Sequence, residues 1–164
     1  MHYLDESITP SLHDIEILTD YLFKIEFWTY YEIMLLGNVV RFINLNTLFL
    51  LTKELLKSSY EAYAESPYNK KMIIQLTLNC AIACIDNHQI SRASYLLKAI
   101  ETAVNEEYYF FEKSIFLYVT GYLEYEQRNK NGISKMKNAL KIFEILDKDG
   151  LYNIYIDHFK KIIN

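Results

Sequence analysis

ISRASYLLKAIE, residues 90–101, and ISKMKNALKIFE, residues 133–144, share an Ile-Ser opening and a Leu-Lys pair seven residues further on. LNTLFLLTKELL, residues 45–56, carries Leu45-Asn46 and Lys53 at the matching places, so the steps are 45 residues from Leu45 to Ile90 and 43 from Ile90 to Ile133. Each segment sets a capping residue (Asn46, Ser91 or Ser134) after an aliphatic one, and a side chain of that kind can accept a bond from a free amide of a first helical turn. Each also follows a longer apolar stretch with helical spacing, so the chain reads as a series of helical hairpins. The step exceeds the roughly 34 residues of a tetratricopeptide unit, but the logic is the same: one hairpin cannot bury its apolar face, whereas stacked neighbours can. The expected fold class is all-α, with stacked antiparallel helical hairpins in a tetratricopeptide-like repeat superhelix closed by a C-terminal capping helix.

A 3.6-residue period predicts helices near 10–23, 25–42, 46–64, 67–86, 91–104, 107–128, 134–147 and 151–163. Four glycines and two prolines leave little turn chemistry for a sheet protein. Thr9-Pro10 and Ser66-Pro67 read as helix starts, each an N-cap followed by proline at the first helical position. In the last segment Leu151, Ile154, Tyr155, His158, Phe159 and Ile162 fall on one apolar stripe. Ile154, Tyr155, Phe159 and Ile162 are therefore expected to cap the stack or to form a subunit contact. At 164 residues and 51% hydrophobic content the chain suits one domain, a helical-repeat domain over 11–164 behind a short N-terminal segment, 1–10.

A formal net charge of −4 with scattered Lys and Arg provides no basic stripe for a nucleic-acid backbone, so DNA binding is not expected of this chain alone. Lys24, Glu26, Glu32 and Arg41 break the longest apolar candidate for a membrane span, and the N-terminus lacks the pattern of a signal peptide, so a cytoplasmic protein is expected. Cys80 and Cys84 lie in a strongly apolar helical stretch and read as core fillers; without a second cysteine pair, zinc ligation has no support. His13, His88 and His158 are isolated in sequence, and Glu106-Glu107 suits a solvated helix start. No phosphate loop, nucleophile elbow or zinc helix occurs, so the expectation is a non-enzyme without metal or cofactor.

The stretch from Met72 to Ile85 is apolar almost all round, as in an inner helix. Gln75, Asn79 and Asp86, at spacings 0, 4 and 11, draw a narrow polar line along it. A buried amide without partners costs about 1–3 kcal/mol, so Asn79 should meet a neighbouring helix, water or a bound backbone. Of the 15 tyrosines, Tyr118, Tyr122 and Tyr125 share one helix. They suit either an interface or peptide groove, or the packing ridge of a single helix.

FKIEFWTYYEIMLLGNVVRFINLNTLFLLTK (Phe23–Lys53) and LTLNCAIACIDNHQISRASYLLKAIE (Leu76–Glu101) resemble the regulatory domain of the Rgg/MutR/GadR family of transcriptional regulators, and the resemblance runs from about Tyr21 to the end. It implies a homodimer and a curved repeat domain whose concave face takes a short hydrophobic signalling peptide. The groove residues expected on this basis are Asn79, with Gln75, Arg41 and Tyr122 beside it. The family's helix-turn-helix DNA-binding domain is not expected within residues 1–164, since too few residues precede Ser11. A purely structural dimerisation module without ligand is the alternative reading.

Overall fold

A computed structural model describes residues 10–62, 67–146 and 149–163. Its helices are α1 (Leu12–Phe23), α2 (Tyr30–Val39), α3 (Leu45–Ala62), α4 (Pro67–Asp86), α5 (Ile90–Val104), α6 (Phe110–Glu126, entered through a 3₁₀ turn, Glu107–Tyr109), α7 (Asn131–Ile145) and α8 (Asp149–Ile163). No strand occurs among the described residues, and the fold is all-α. The chain forms two compact units, Met1–Met72 and Ile73–Asn164.

The three-segment echo is a packing register. Leu48, Leu51, Thr52 and Leu55 are the buried positions at the heart of α3; the same pattern returns as Ala93, Leu96, Leu97 and Ile100 on α5, and as Met136, Ala139, Leu140 and Phe143 on α7. These sets are related by the 45- and 43-residue steps read from the sequence. Each stripe has the i, i+3, i+4, i+7 spacing that turns one helical face inward.

The capping role assigned to Asn46, Ser91 and Ser134 is corrected, because each lies inside its helix. The α3 cap is Asn44, whose Oδ1 accepts the Thr47 amide at 3.0 Å. Asn129 does similar work before α7, accepting the Asn131 amide at 3.0 Å. Gln89 precedes α5 without a side-chain cap, its Oε1 instead taking the Arg92 guanidinium at 2.8 Å.

The first helix also starts later than expected. Ser11, not Thr9, is the N-cap: Ser11 Oγ accepts the Asp14 amide at 3.1 Å and Asp14 Oδ2 accepts the Ser11 amide at 3.0 Å, a reciprocal capping box. Thr9 and Ser66 lie outside the described residues, while Pro67 does open α4. The helix expected over 25–42 is shorter because Thr29 caps α2, with Glu32 Oε2 accepting the Thr29 amide at 2.9 Å. Trp28, 2% exposed, is buried from the non-helical residue before that cap.

In the first unit α1 packs against α2 and α3. In the second, α6 packs against α5 and, most closely, α7, and α7 packs against α8. The α6–α7 approach rests on two glycines. A Cβ at Gly121 would lie 2.7 Å from the Gly132 carbonyl oxygen, and one at Gly132 would meet the Gly121 carbonyl and lie 2.5 Å from the Tyr125 amide nitrogen. Two turns in this unit close on left-handed residues that are not glycine, His88 (φ 56) and Arg128 (φ 63). Around each, paired backbone bonds satisfy the last carbonyls of the preceding helix: His88 to Ile85 and Gln89 to Cys84, then Arg128 to Tyr125 and Asn129 to Glu124, all at 2.8 Å.

Candidate functional site

α4 is buried on nearly every side of its second-unit portion, through Ile73, Ile74, Leu76, Thr77, Leu78, Cys80, Ala81, Cys84 and Ile85. Neither cysteine forms a disulfide, and both are buried with no exposure, in the core as their neighbours suggested. Against that surface the three members of the polar line have different fates. Gln75 Nε2 donates to Glu112 Oε1 at 2.7 Å, and Glu112 is buried on α6. Asp86 Oδ1 accepts the Tyr122 hydroxyl at 2.9 Å and lies 3.5 Å from His158 Nε2. Asn79, between them, is exposed.

Tyr118, Tyr122 and Tyr125 form a packing ridge that seats α8. The Tyr118 hydroxyl donates to the Tyr155 carbonyl at 3.2 Å and sits 2.9 Å from His158 Nδ1. The Tyr125 hydroxyl reaches the Ile162 carbonyl at 3.4 Å. Rings interlock beside these bonds: Tyr118 meets Tyr155 edge-on at 4.7 Å, Tyr122 meets His158 edge-on at 5.0 Å, and Phe143 lies 5.3 Å from Tyr155. Because the contacts advance together along both helices, α8 runs parallel to α6. Burial pushes the Tyr118 and Tyr122 hydroxyls well above the ordinary tyrosine range and Tyr155 up to about 12, so all three keep their protons at neutral pH.

Burial acts to raise the Asp86 carboxyl, but hydrogen bonds from His158 and Tyr122 outweigh it and hold Asp86 below the usual carboxylate value. A carboxylate lowered in this way stabilises the fold above its unfolded value of about 3.9, and that contribution is lost as pH falls through the folded value. In a carboxyl-carbon NMR titration, Asp86 should show a midpoint below that of an exposed aspartate, and Tyr122→Phe should move it upward. An unmoved midpoint in the variant would rule out the hydroxyl as a cause.

Of the four residues predicted for a groove, Gln75, Asn79 and Tyr122 belong to the second unit, and Arg41 to the first. Arg41 is exposed, with its guanidinium carbon 4.8 Å from the Phe42 ring centroid. Tyr122 is 6% exposed and its hydroxyl is committed to Asp86, so it frames the polar line from beneath. An open groove of about 540 Å³ on the first unit, whose lining includes Leu22, Trp28, Leu50 and Leu51, contains none of the four. The stripe predicted on the last helix divides: Tyr155 and Phe159 are buried within the chain, Ile162 is half-buried, and Ile154 is 61% exposed. Glu112 and His158 were not foreseen as partners of the polar line. They lie 37 and 72 residues from Gln75 and Asp86, and only the tyrosine ridge hinted that something packs there.

Helical hairpins with a recurring buried face, and a polar line on an inner helix, define a helical-repeat domain. The model of the C-terminal domain of the HTH-type transcriptional regulator Rgg matches residues 1–156, and the chain belongs to this family. Crystal structures of the Streptococcus dysgalactiae SHP pheromone receptor Rgg2 and of a cysteine-to-serine variant of it are similar, each at 46% identity, with TM-scores of 0.90 and 0.89. Both matches cover 96% of this chain, and they take in 58% and 57% of the receptor chains, so this chain spans less than two thirds of their length. Regulator of Proteinase B, RopB, crystallised with SIP, matches over 94% of this chain and 68% of its own at a TM-score of 0.53; at 19% identity it shares the fold.

Proposed function

We propose that this chain is the ligand-sensing and dimerisation part of a transcription regulator and takes a short hydrophobic peptide along the inner face of α4 and α6. The observation that carries the reading is the 46% identity to an SHP pheromone receptor over 96% of the chain. The exposed Asn79 supports it chemically. An amide side chain offers a donor and an acceptor to an extended peptide backbone, and here it stands between two positions whose side chains are already engaged. Gln75 and Tyr122 contribute by holding Glu112 and Asp86 in place beside it. DNA contact falls to a helix-turn-helix domain outside this chain, the setting is cytoplasmic, and no catalysis is assigned.

Titration calorimetry with a synthetic SHP pheromone tests this. Asn79→Ala, with its fold verified by circular dichroism, should bind about tenfold more weakly, as expected for one lost hydrogen-bonding amide. Equal affinity would remove Asn79 from the site, and no binding to the native chain would favour the structural-module reading. Dimerisation has its own support in Ile145, Leu146 and Ile154, which are 71%, 40% and 61% exposed on or beside the last two helices. Large apolar side chains left open on adjoining elements suit a subunit contact.

A further inference from the structure

We propose that α8 is a displaceable latch, fastened to the rest of its unit at His158, and that the Asp86–His158 contact is its release point. The first support is how little apolar surface holds this helix. Among its described side chains only Tyr155 and Phe159 are buried, whereas α7 buries Met136, Ala139, Leu140 and Phe143. Segments with few buried apolar contacts open locally at lower free energy than the core beside them.

The second support is what holds α8 instead. His158 stands where three helices meet, with Nδ1 2.9 Å from the Tyr118 hydroxyl of α6 and Nε2 3.5 Å from Asp86 Oδ1 of α4. As an imidazolium the ring donates from both nitrogens. As a neutral ring protonated at Nε2 it donates to Asp86 and accepts the Tyr118 proton at Nδ1 in place of the Tyr155 carbonyl, so either form bridges α4 and α6 through α8. Apart from this bridge, the hydrogen bonds that Tyr118 and Tyr125 make to α8 end on the helical carbonyls of Tyr155 and Ile162.

The third support is access. The His158 and Asp86 side chains keep 26% and 45% of their exposure, and their separation is at the long limit of a hydrogen bond. Asp86 is also the far end of the polar line on which Asn79 is exposed. A peptide amide donating to the Asp86 carboxylate would compete with His158 Nε2, and α8 would lose its bridge to α4. The ligand-driven half of this idea rests on the peptide reading above; the latch itself does not.

Hydrogen exchange of the full chain, followed by mass spectrometry, tests it. In His158→Ala the amides of α8 should exchange about tenfold faster than in the native protein, while those of α5, α6 and α7 keep their rates. Asp86→Asn, made from the α4 side, should accelerate the same helix selectively and covers the case in which His158→Ala does not fold. Unchanged α8 exchange in the folded variants would overturn the latch, and so would acceleration spread evenly over the whole unit. With saturating synthetic SHP pheromone, faster α8 exchange in the native chain supports ligand release. Bound peptide with slower or unchanged α8 exchange overturns that release. Absence of binding counts against the peptide reading, and the variants still decide the latch.

Discussion

Gly132→Ala should destabilise the protein by about 3 kcal/mol or more, although helix propensity alone predicts the opposite sign. Within a helix, alanine is favoured over glycine by about 1 kcal/mol. Gly132 is in the first turn of α7, where a methyl group would meet the Gly121 carbonyl and lie 2.5 Å from the Tyr125 amide nitrogen and 2.9 Å from the Tyr125 Cα. All three are backbone atoms of α6, so no rotamer change relieves the overlap; the helices must separate. Separation would loosen the contacts of Met136, Ala139 and Leu140 and stretch the 2.5 Å ion pair of Lys135 with Glu124. Overpacking that moves backbone costs about 1–3 kcal/mol and occasionally more, and a helix–helix contact made by two glycines has little slack. Gly37→Ala is the matched control: it lies inside α2, nothing is within 4 Å of its would-be Cβ, and it should gain up to about 1 kcal/mol. Urea unfolding of the two variants gives the comparison. Shifts of the same sign would mean that propensity, not close approach, governs Gly132.

Phe159→Ala should cost about 3 kcal/mol, at the lower end of the range for a buried phenylalanine. The ring is 5% exposed and is one of two large side chains that α8 buries. Removing it leaves Tyr155 as the main apolar attachment, and the chain can answer by releasing α8 instead of keeping a cavity. The loss is then capped by the free energy of detaching that helix. Chemical denaturation should show the loss. A change below about 1 kcal/mol would mean that Phe159 contributes no more than a surface residue.

The positions of α3, α5 and α7 were legible because helical periodicity is local: their apolar residues recur three and four positions apart. Caps were harder, since the chain places several candidates within two or three positions. Asn44 and Asn46 are chemically equivalent in the sequence, and only the entry path of the chain selects Asn44. The residues before α2 mislead for another reason. Phe27 and Trp28 look like part of a helical stripe, but Trp28 is buried without belonging to a helix. For the site, the polar line itself was readable from spacing along α4. Its partners were not, because Glu112 and His158 are brought in by tertiary packing, which leaves no trace in local pattern. Tyr122 was half legible: its apolar body was expected to pack, while the destination of its hydroxyl required the position of Asp86.

The left-handed turn residues His88 and Arg128 are 40 positions apart, whereas the buried faces that follow them, beginning at Ala93 and Met136, are 43 apart. The later hairpin therefore spends three more residues between its turn and its core. Three residues rotate a helix by about 300°, close to one full revolution, so the inward face returns to nearly its former direction. One or two residues would swing the same face by about 100° or 200° and turn it to water. Length at this connection is thus quantised: residues added to the first turn of α7 keep its buried face inward when they come in steps of three or four, and turn it away when they come singly or in pairs.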